Sequence, residues 1–403
     1  MALTGDRNAR LLLAGDGLSA FGAWIDFLAI LTLAAYQFQV SPYQMAVVSA
    51  AGLLPGMLAG PWIGRLCDRK NPKHLLLLSI ALRVAATGAI LFCHDLVLFV
   101  ALVGLRSVFV TVAQPAINVM AVRAVEPPQR PHFYAVLNVL NNTAKVLAPA
   151  LGTVSSSLTS EAVALVLSGA FSTAALVAFA FIRLAPRAPA MEPAGSSGAP
   201  SGTAAPSLMP LLWIAATCAF FVFMVNNLVP LVLQQAGLDK SLLGLLVSCA
   251  GAGNIAGGLW LARTAAAQAM RGDAGEMMRP AMLQALGFGA IGVVLWLRPD
   301  HAGAILPVLF FVIGTFSARY AIALSVHVAA HHAAAIGRTW GVVQAWQSAM
   351  ILVAPMIGAV VLDRWGPAAL FAVATGSAAL SFALFHGLRT LGMPRLQAAT
   401  PAA

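Results

Sequence analysis

The sequence is short of charged residues, and of acidic ones most of all. Only 9% of its 403 residues are Asp, Glu, Lys or Arg, against about a quarter in soluble domains. The 13 acidic residues are outnumbered by 23 basic ones, which gives a net charge of +10. With 60% hydrophobic residues, the composition excludes a soluble globule and indicates an all-α membrane protein with several spans.

Cysteine and enzyme motifs are also scarce. Cys67, Cys93, Cys218 and Cys249 are scattered without C-x-x-C spacing, which argues against a disulfide framework or a zinc site. No HExxH, paired acids or GxSxG motif is present, so we expect no enzyme activity, no metal and no cofactor. The basic residues lie between apolar runs without interleaved aromatics, so we expect no nucleic acid partner.

Long apolar runs are what the sequence has in abundance. A helix needs about 20 apolar residues to cross a bilayer, and its backbone finds no water partner in hydrocarbon, so each run is expected to be helical. Twelve runs meet this length, at roughly 11–38, 43–66, 75–92, 96–119, 133–156, 162–182, 208–235, 242–262, 281–297, 304–329, 340–362 and 367–388.

The connections between these runs alternate in basic residues. Sixteen Lys and Arg residues lie in one set of connections and termini, and three lie in the other. Cytoplasmic loops are enriched in Lys and Arg, so the pattern predicts that both termini are cytoplasmic. We therefore expect a multi-pass protein of a bacterial inner (cytoplasmic) membrane.

A stretch rich in Pro, Gly, Ser and Ala, residues 185–207, is typical of a flexible linker. It divides the chain into an N-terminal half, 1–184, and a C-terminal half, 208–390, with a cytoplasmic tail at 391–403. The motif Asn138-x-x-Asn141-Asn142 recurs as Gln344-x-x-Gln347-Ser348 at an offset of 206. Twelve transmembrane helices in two pseudo-symmetric six-helix bundles, with cargo held between them, are therefore expected.

The segment Gly60–Lys73 carries the most specific motif. Gly64, Leu66, Asp68 and Arg69, with Lys73 near the basic end, resemble the loop between helices 2 and 3 of the major facilitator superfamily. The resemblance implies the major facilitator fold. It also implies that Gly64, Asp68, Arg69 and Lys73 act in gating, by bracing cytoplasmic helix ends in the outward-open state.

Other short motifs narrow the resemblance to one branch of that superfamily. These motifs are Gly17-Leu18-Ser19-x-x-Gly22, Ser41-Pro42, Leu54-Pro55 and Arg83. With them the chain looks like the exporter branch that includes bacterial enterobactin exporters and macrolide efflux proteins. The antiporter motif of helix 5 survives only at Pro149 and Gly152.

Ionisable residues inside apolar runs are functional candidates because they are costly to bury in a bilayer. Asp26, on a helix 1 stripe suited to lining a cavity, is interpreted as a proton carrier or substrate ligand, or else as half of a structural ion pair. Arg106, beside Gln114 on helix 4, is its expected partner, and the alternative is a permanent buried ion pair. Asp16 is expected to reach the headgroups or to cap or pair locally, and Arg83 is expected to snorkel to the cytoplasmic surface.

Helix 5 carries a lysine above a row of amides. Lys145 shares a face with Asn138, Asn141 and Asn142 and is interpreted as an anion ligand, with Arg319 on helix 10 extending the pattern from the other half. Neutral hydrogen bonds across the cavity are expected from Asn226, Asn227, Gln344 and Gln347. The helices hold two more Arg and Lys than Asp, which favours an anionic cargo. The cluster of His327, His331 and His332 is interpreted as a solvated turn rather than a metal site.

Together these features predict a secondary active transporter that exports a small anionic organic molecule, such as a carboxylate siderophore, by proton-coupled alternating access. A broad multidrug/proton antiporter and a lysophospholipid flippase are the alternatives. The expected partners are the cargo, protons and membrane lipid, and we expect the protein to act as a monomer. A receptor that transports nothing is disfavoured, because it would not need charged residues at mid-membrane depth in both halves.

Overall fold

The computed structural model describes residues 7–40, 42–158, 161–183, 208–239, 241–264, 270, 272–297 and 301–390. Nearly all of these residues are helical. The predicted linker at 185–207 and the tail at 391–403 lie outside the described residues.

The first half contains six helices. They are α1 (Arg7–Thr32), α2 (Pro42–Arg69), α3 (Pro72–Leu91), α4 (Leu96–Ala124), α5 (Arg130–Leu158) and α6 (Glu161–Ala180). A π-helical turn, Leu33–Gln37, extends α1, and a 3-10 turn, Pro127–Gln129, leads into α5.

The second half begins with a broken helix. Its elements are α7 (Met209–Asn226), the short α8 (Val229–Gln235), α9 (Ser241–Arg263), α10 (Ala274–Leu297) and α11 (Ala302–His331). A 3-10 turn, Ala333–Ala335, precedes the long stretch Ile336–Thr390. Gly366 breaks that stretch with φ 78°, a left-handed value that favours glycine. We call the two parts α12 (336–365) and α13 (367–390).

Local sequence signals explain where two of the helices begin. The Asn71 side chain accepts a hydrogen bond from Lys73 N at 3.0 Å, and Pro72 occupies the first turn of α3. The Asp95 carboxylate accepts from Leu98 N at 2.8 Å at the start of α4. Such side chains satisfy backbone donors that have no partner inside the helix.

Eight helical segments within the described residues are long and apolar enough to cross a membrane, and the last of these is the bent pair α12 and α13. The helix starts also show a repeat. Leu96 of α4 and Ala302 of α11 lie 206 residues apart, and so do Arg130 of α5 and Ile336 of α12. The offset seen in the amide motif therefore extends over two successive helices of each half.

Helix packing brings the two halves together at one end. In the first half α1 packs on α5 and α6, and α3 packs on α4 and α6; in the second half α9 and α10 pack on α11. Between the halves α2 packs on α12, and α5 packs on α9. We call the end where α2 finishes and α5 and α12 begin the Asp68 end.

Candidate functional site

Four glycines bring α2 and α12 into backbone contact at the Asp68 end. Gly60 lies against Gly341, and Gly64 lies against Gly337. A Cβ on any of the four would overlap the carbonyl oxygen of the glycine opposite. Only glycine permits so close an approach, so this contact, which we call the glycine seal, leaves no passage between the two helices.

Asp68 completes the seal electrostatically. Its two carboxylate oxygens accept hydrogen bonds from Gly337 N and Arg338 N, each at 2.8 Å. These N–H groups belong to the first turn of α12, where a negative charge is favoured by the helix dipole. Lys73 donates at 2.8 Å to Ala180 O and to Ile182 O, at the end of α6, while Arg69 is exposed.

The contact between α5 and α9 is the second closure at this end. His132 Nδ1 lies 2.7 Å from Ala262 O at the end of α9. Arg130 donates to Val122 O at 2.9 Å and to Ala329 O at 3.5 Å. Its guanidinium therefore joins the last turns of α4 and α11, which belong to different halves.

A cavity of about 250 Å³ lies between α4 and α5 of the first half and α11 and α12 of the second. We call it the central cavity. Its polar lining includes four of the predicted amides, Gln114, Asn138, Asn141 and Gln347. Asn142 lies beside this row and donates to Asn138 Oδ1 at 3.2 Å.

The lining of the central cavity follows the repeat. Tyr134 and Trp340 both line it and lie 206 residues apart in sequence, as do Asn141 and Gln347. Within the described part of the chain, Tyr134 Oη, Trp340 Nε1 and Gln344 Oε1 are buried without a hydrogen-bond partner. The two aromatic residues were not predicted from the sequence, although the offset that relates the amides also relates them.

Asp16 is the carboxyl nearest to this lining, and the sequence-based interpretation of it was wrong. It does not reach the headgroups: it is 7% exposed and accepts a hydrogen bond from Asn141 Nδ2 at 2.6 Å. Among the described residues no Lys or Arg pairs with it. Asp16 is therefore a buried acid that a neutral amide links to the central cavity.

The two predicted anion ligands occupy different places. Lys145 lies one helical turn beyond Asn141 on the same face of α5, about 6 Å further along the helix, with Nζ 5.6 Å from the ring centre of Trp24. Arg319 lies on the opposite face of α11 from the lining and stacks on Trp260 at 5.0 Å. Lys145 thus shares the Asn141 face of α5 without being one of the residues that line the central cavity, and Arg319 lies on the far side of α11.

Asp26 and Arg106 form an ion pair inside the first half. Arg106 Nε donates to Asp26 Oδ2 at 2.5 Å, and Thr87 donates to the same oxygen at 3.3 Å. Asp26 is 1% exposed, so it packs against α3 and α4 rather than lining a cavity. Arg83 does not snorkel: it is 4% exposed and bonds to two serine hydroxyls.

Two further groups differ from expectation. Asn226 and Asn227 lie at the break between α7 and α8, where both are exposed and neither lines the central cavity. His327 and His332 of the histidine cluster are buried rather than solvated, and His327 Nδ1 bonds to Gly272 O. The pKa of His332 is lowered to about 4, mainly by burial and to a smaller extent by the neighbouring His331.

Comparisons with known proteins agree with this architecture. An "Uncharacterized MFS-type transporter YfiS" of Bacillus subtilis (strain 168) is 28% identical over 253 residues. The match covers 60% of this chain and 60% of that protein, less than two thirds of its length.

Solved structures share the fold over nearly the whole chain. A bacterial homologue of the iron transporter ferroportin, in an outward-facing state, has a TM-score of 0.74 at 12% identity and covers 95% of this chain and 99% of its own. The human organic anion transporter MFSD10 (TETRAN) has a TM-score of 0.73 at 17% identity, with coverage of 94% and 98%.

The family itself follows from a match over most of the sequence. The model described as Major Facilitator Superfamily matches residues 12–355. The chain therefore belongs to the major facilitator superfamily of membrane transporters.

Proposed function

We propose that this transporter exports a small organic anion, siderophore-like in size and chemistry, by proton-coupled alternating access. The observation that carries the proposal is the central cavity, which helices of both halves line and the glycine seal closes at the Asp68 end. Alternating access needs such a site between two units that rock against each other. The two units are the predicted bundles, 1–184 and 208–390, acting within one monomer.

Orientation follows from the basic residues. The Asp68 end is the cytoplasmic end, because the connections rich in Lys and Arg lie there. Closure at that end makes this the outward-facing state. Gly64, Asp68, Arg69 and Lys73 then act on the gate rather than on the cargo. Export is supported by the resemblance of helix 1 and the helix 2 start to the exporter branch.

The case for an anionic cargo rests on Lys145. The surplus of positive charge expected from the sequence is not at the cavity, since Arg83 and Arg106 are buried among first-half helices and Arg319 lies over Trp260. Lys145 is on the cavity face of α5, is exposed, and makes a ring contact with Trp24. An ammonium group placed in this way can bind a carboxylate of the cargo.

The proton site that we propose is Asp16 rather than Asp26. The Asp26 carboxylate is held in a buried ion pair by the Arg106 guanidinium, and breaking such a pair leaves an uncompensated buried charge. Asp16 has the neutral Asn141 amide as its partner, so it can exist with or without a proton at a smaller electrostatic cost. An acid that changes protonation state during the cycle is what coupling requires.

Competition at Asp16 would make the exchange an antiport. A hydroxyl group of the cargo that replaces the Asn141 amide as donor makes a stronger hydrogen bond to the ionised carboxylate than to the protonated acid. Proton and cargo then weaken each other's binding at Asp16. The best cargo therefore combines a carboxylate for Lys145 with a hydroxyl for Asp16.

Inverted membrane vesicles test both assignments. We expect proton-driven accumulation of labelled 2,3-dihydroxybenzoate to exceed that of benzoate, which lacks the hydroxyls. Lys145→Gln should reduce uptake of both acids, and Asp16→Asn should abolish the response to a pH gradient while leaving exchange. Vesicles without the protein give the passive distribution of each acid.

Asp26→Asn provides the matched acid control. If the pH response is lost in Asp26→Asn and kept in Asp16→Asn, the proton site is misassigned. A different result would be that the cation ethidium is accumulated and that Lys145→Gln does not change the uptake of either acid. In that case the cargo is not an anion, and the protein is better described as a multidrug antiporter.

One further feature favours a flippase as the second candidate. An apolar groove of about 410 Å³ lies where α2 and α4 meet, lined by Val47, Leu96, Val97 and Val100, with Gln44 at the same site. Its shape and apolarity suit an acyl chain. Transport of a fluorescent lysophospholipid that a Val97→Trp substitution blocks would favour this function.

A further inference from the structure

The interior of the first half holds more positive than negative charge. Arg83, Arg106 and Asp26 are 4%, 7% and 1% exposed. Asp26 pairs with Arg106, so Arg83 is left without a carboxylate of its own among the described residues. Arginine stays protonated in proteins. The cluster therefore carries one net positive charge away from water.

The immediate partners of Arg83 are hydroxyls that do not neutralise it. Its Nη2 donates to Ser172 Oγ at 2.8 Å and to Ser19 Oγ at 3.3 Å. A hydroxyl that accepts a hydrogen bond still has its own hydrogen to donate. In the part of the chain that the structure describes, neither hydrogen has an acceptor, and Nε and Nη1 of Arg83 make no hydrogen bond. The cluster therefore has more hydrogen-bond donors than acceptors.

The helix packing supports this arrangement of donors. Gly22 lies where α1 meets α6, and a Cβ placed on it would come within 2.7 Å of Ser172 Oγ. Glycine at this position therefore lets the Ser172 hydroxyl lie close to α1, beside Ser19 and the guanidinium. The three groups come from three helices, α1, α3 and α6.

A buried cation without a counter-charge is among the most unfavourable arrangements in a bilayer. Thr87 does not neutralise the cation, because its hydroxyl carries no charge and donates to Asp26. We infer that Arg83, Ser19 and Ser172 bind a small monovalent anion, either chloride or the carboxylate of a small acid. The anion neutralises the cluster and links α1, α3 and α6. This site is separate from the central cavity and does not depend on the proposed cargo.

Thermal unfolding of the purified full-length protein tests the inference. A ligand that binds only the folded state stabilises it in proportion to the logarithm of its concentration above Kd. At constant ionic strength we expect the melting temperature to rise as sodium chloride or sodium formate replaces sodium gluconate, whose anion is much larger. The anion that raises the melting temperature more, chloride or formate, shows whether the site prefers a halide or a carboxylate.

Variants locate the effect. Ser172→Ala removes one donor to a charged group and should weaken anion affinity about tenfold or more. Arg83→Gln should abolish the anion response, whereas Arg319→Gln removes a membrane-interior cation that stacks on Trp260 and should leave the response intact. If Arg83→Gln does not fold, Ser172→Ala and anomalous scattering from bound bromide decide the question.

Two results would overturn the inference. One is an equal melting temperature in chloride, formate and gluconate. The other is an anion response that Ser172→Ala leaves undiminished, or bromide bound away from Arg83, because either would show that the stabilising anion binds somewhere else.

Discussion

Asp68→Asn should open the glycine seal by a calculable amount. Asp68 accepts two hydrogen bonds of 2.8 Å from the first turn of α12. A hydrogen bond to a charged group contributes about 1.5–3 kcal/mol, and a charge at a helix N-terminus about 0.3–1 kcal/mol. Asparagine keeps one acceptor oxygen and loses the charge, so the closed state should lose about 2 kcal/mol, or about 30-fold in its equilibrium against the open state.

Cys67 is a native reporter for this opening. It is 0% exposed and shares a helical stripe with Gly60 and Gly64, the residues that contact α12, by i, i+4, i+7 spacing. When opening and closing are fast, the rate of alkylation follows the open population. With Cys93, Cys218 and Cys249 replaced by Ala, we expect maleimide to label Cys67 about 30 times faster in Asp68→Asn.

Asp363→Asn is the matched control, because that carboxylate lies on the same helix, α12, but is exposed and far along the chain from its first turn. It should leave the Cys67 labelling rate unchanged. An unchanged rate in Asp68→Asn would refute the role of Asp68 in holding the seal. Equal acceleration in both variants would instead indicate general loosening of the fold.

Two other substitutions test packing and charge. Gly337→Ala places a Cβ against the backbone oxygen of Gly64, so the seal cannot close. The rate of Cys67 labelling should therefore rise further than in Asp68→Asn. An unchanged labelling rate would contradict the contact between the two glycines. Asp26→Asn leaves Arg106 buried without its carboxylate. This should cost about 3–5 kcal/mol of stability and lower the melting temperature. Adding Arg106→Gln to this variant should restore part of the lost stability. A melting temperature that Asp26→Asn leaves unaltered would show that the pair is not stabilising.

The sequence predicted the helices well because their signals are local. The run at 96–119 corresponds to α4, Leu96–Ala124, whose start is set by the Asp95 cap. The run at 208–235 was predicted as one helix, but the structure has two helices there, α7 and α8, because the first ends at Asn226. Nothing in the apolar pattern marks that break. The Asp26–Arg106 pair, which was a hypothesis from the depth of both residues, is present in the structure.

The neighbours of each helix face were harder to predict. Asp16 lies only about one and a half turns into the predicted run at 11–38, and depth alone suggested that it reaches the surface. Its position facing α5 depends on which helix packs there, and one sequence contains no such information. The same reason explains Arg83, which meets α1 and α6, and Arg319, which lies on the far side of α11.

The ionisable groups of the membrane interior divide unequally between the halves, whereas the cavity lining does not. Under the offset of 206, Arg106 corresponds to Val312 and Lys145 to Ile351, while Tyr134 corresponds to Trp340 and Asn141 to Gln347. Hydrogen-bonding groups are thus supplied from both sides of the cavity, whereas the positions that match Arg106 and Lys145 are apolar in the second half. A proton or anion bound in the first half can change the conformational balance only through contacts that cross to the second half. The hydrogen bonds that Asp68 makes to α12 and that Arg130 makes to α11 are such contacts, and we propose that coupling uses them.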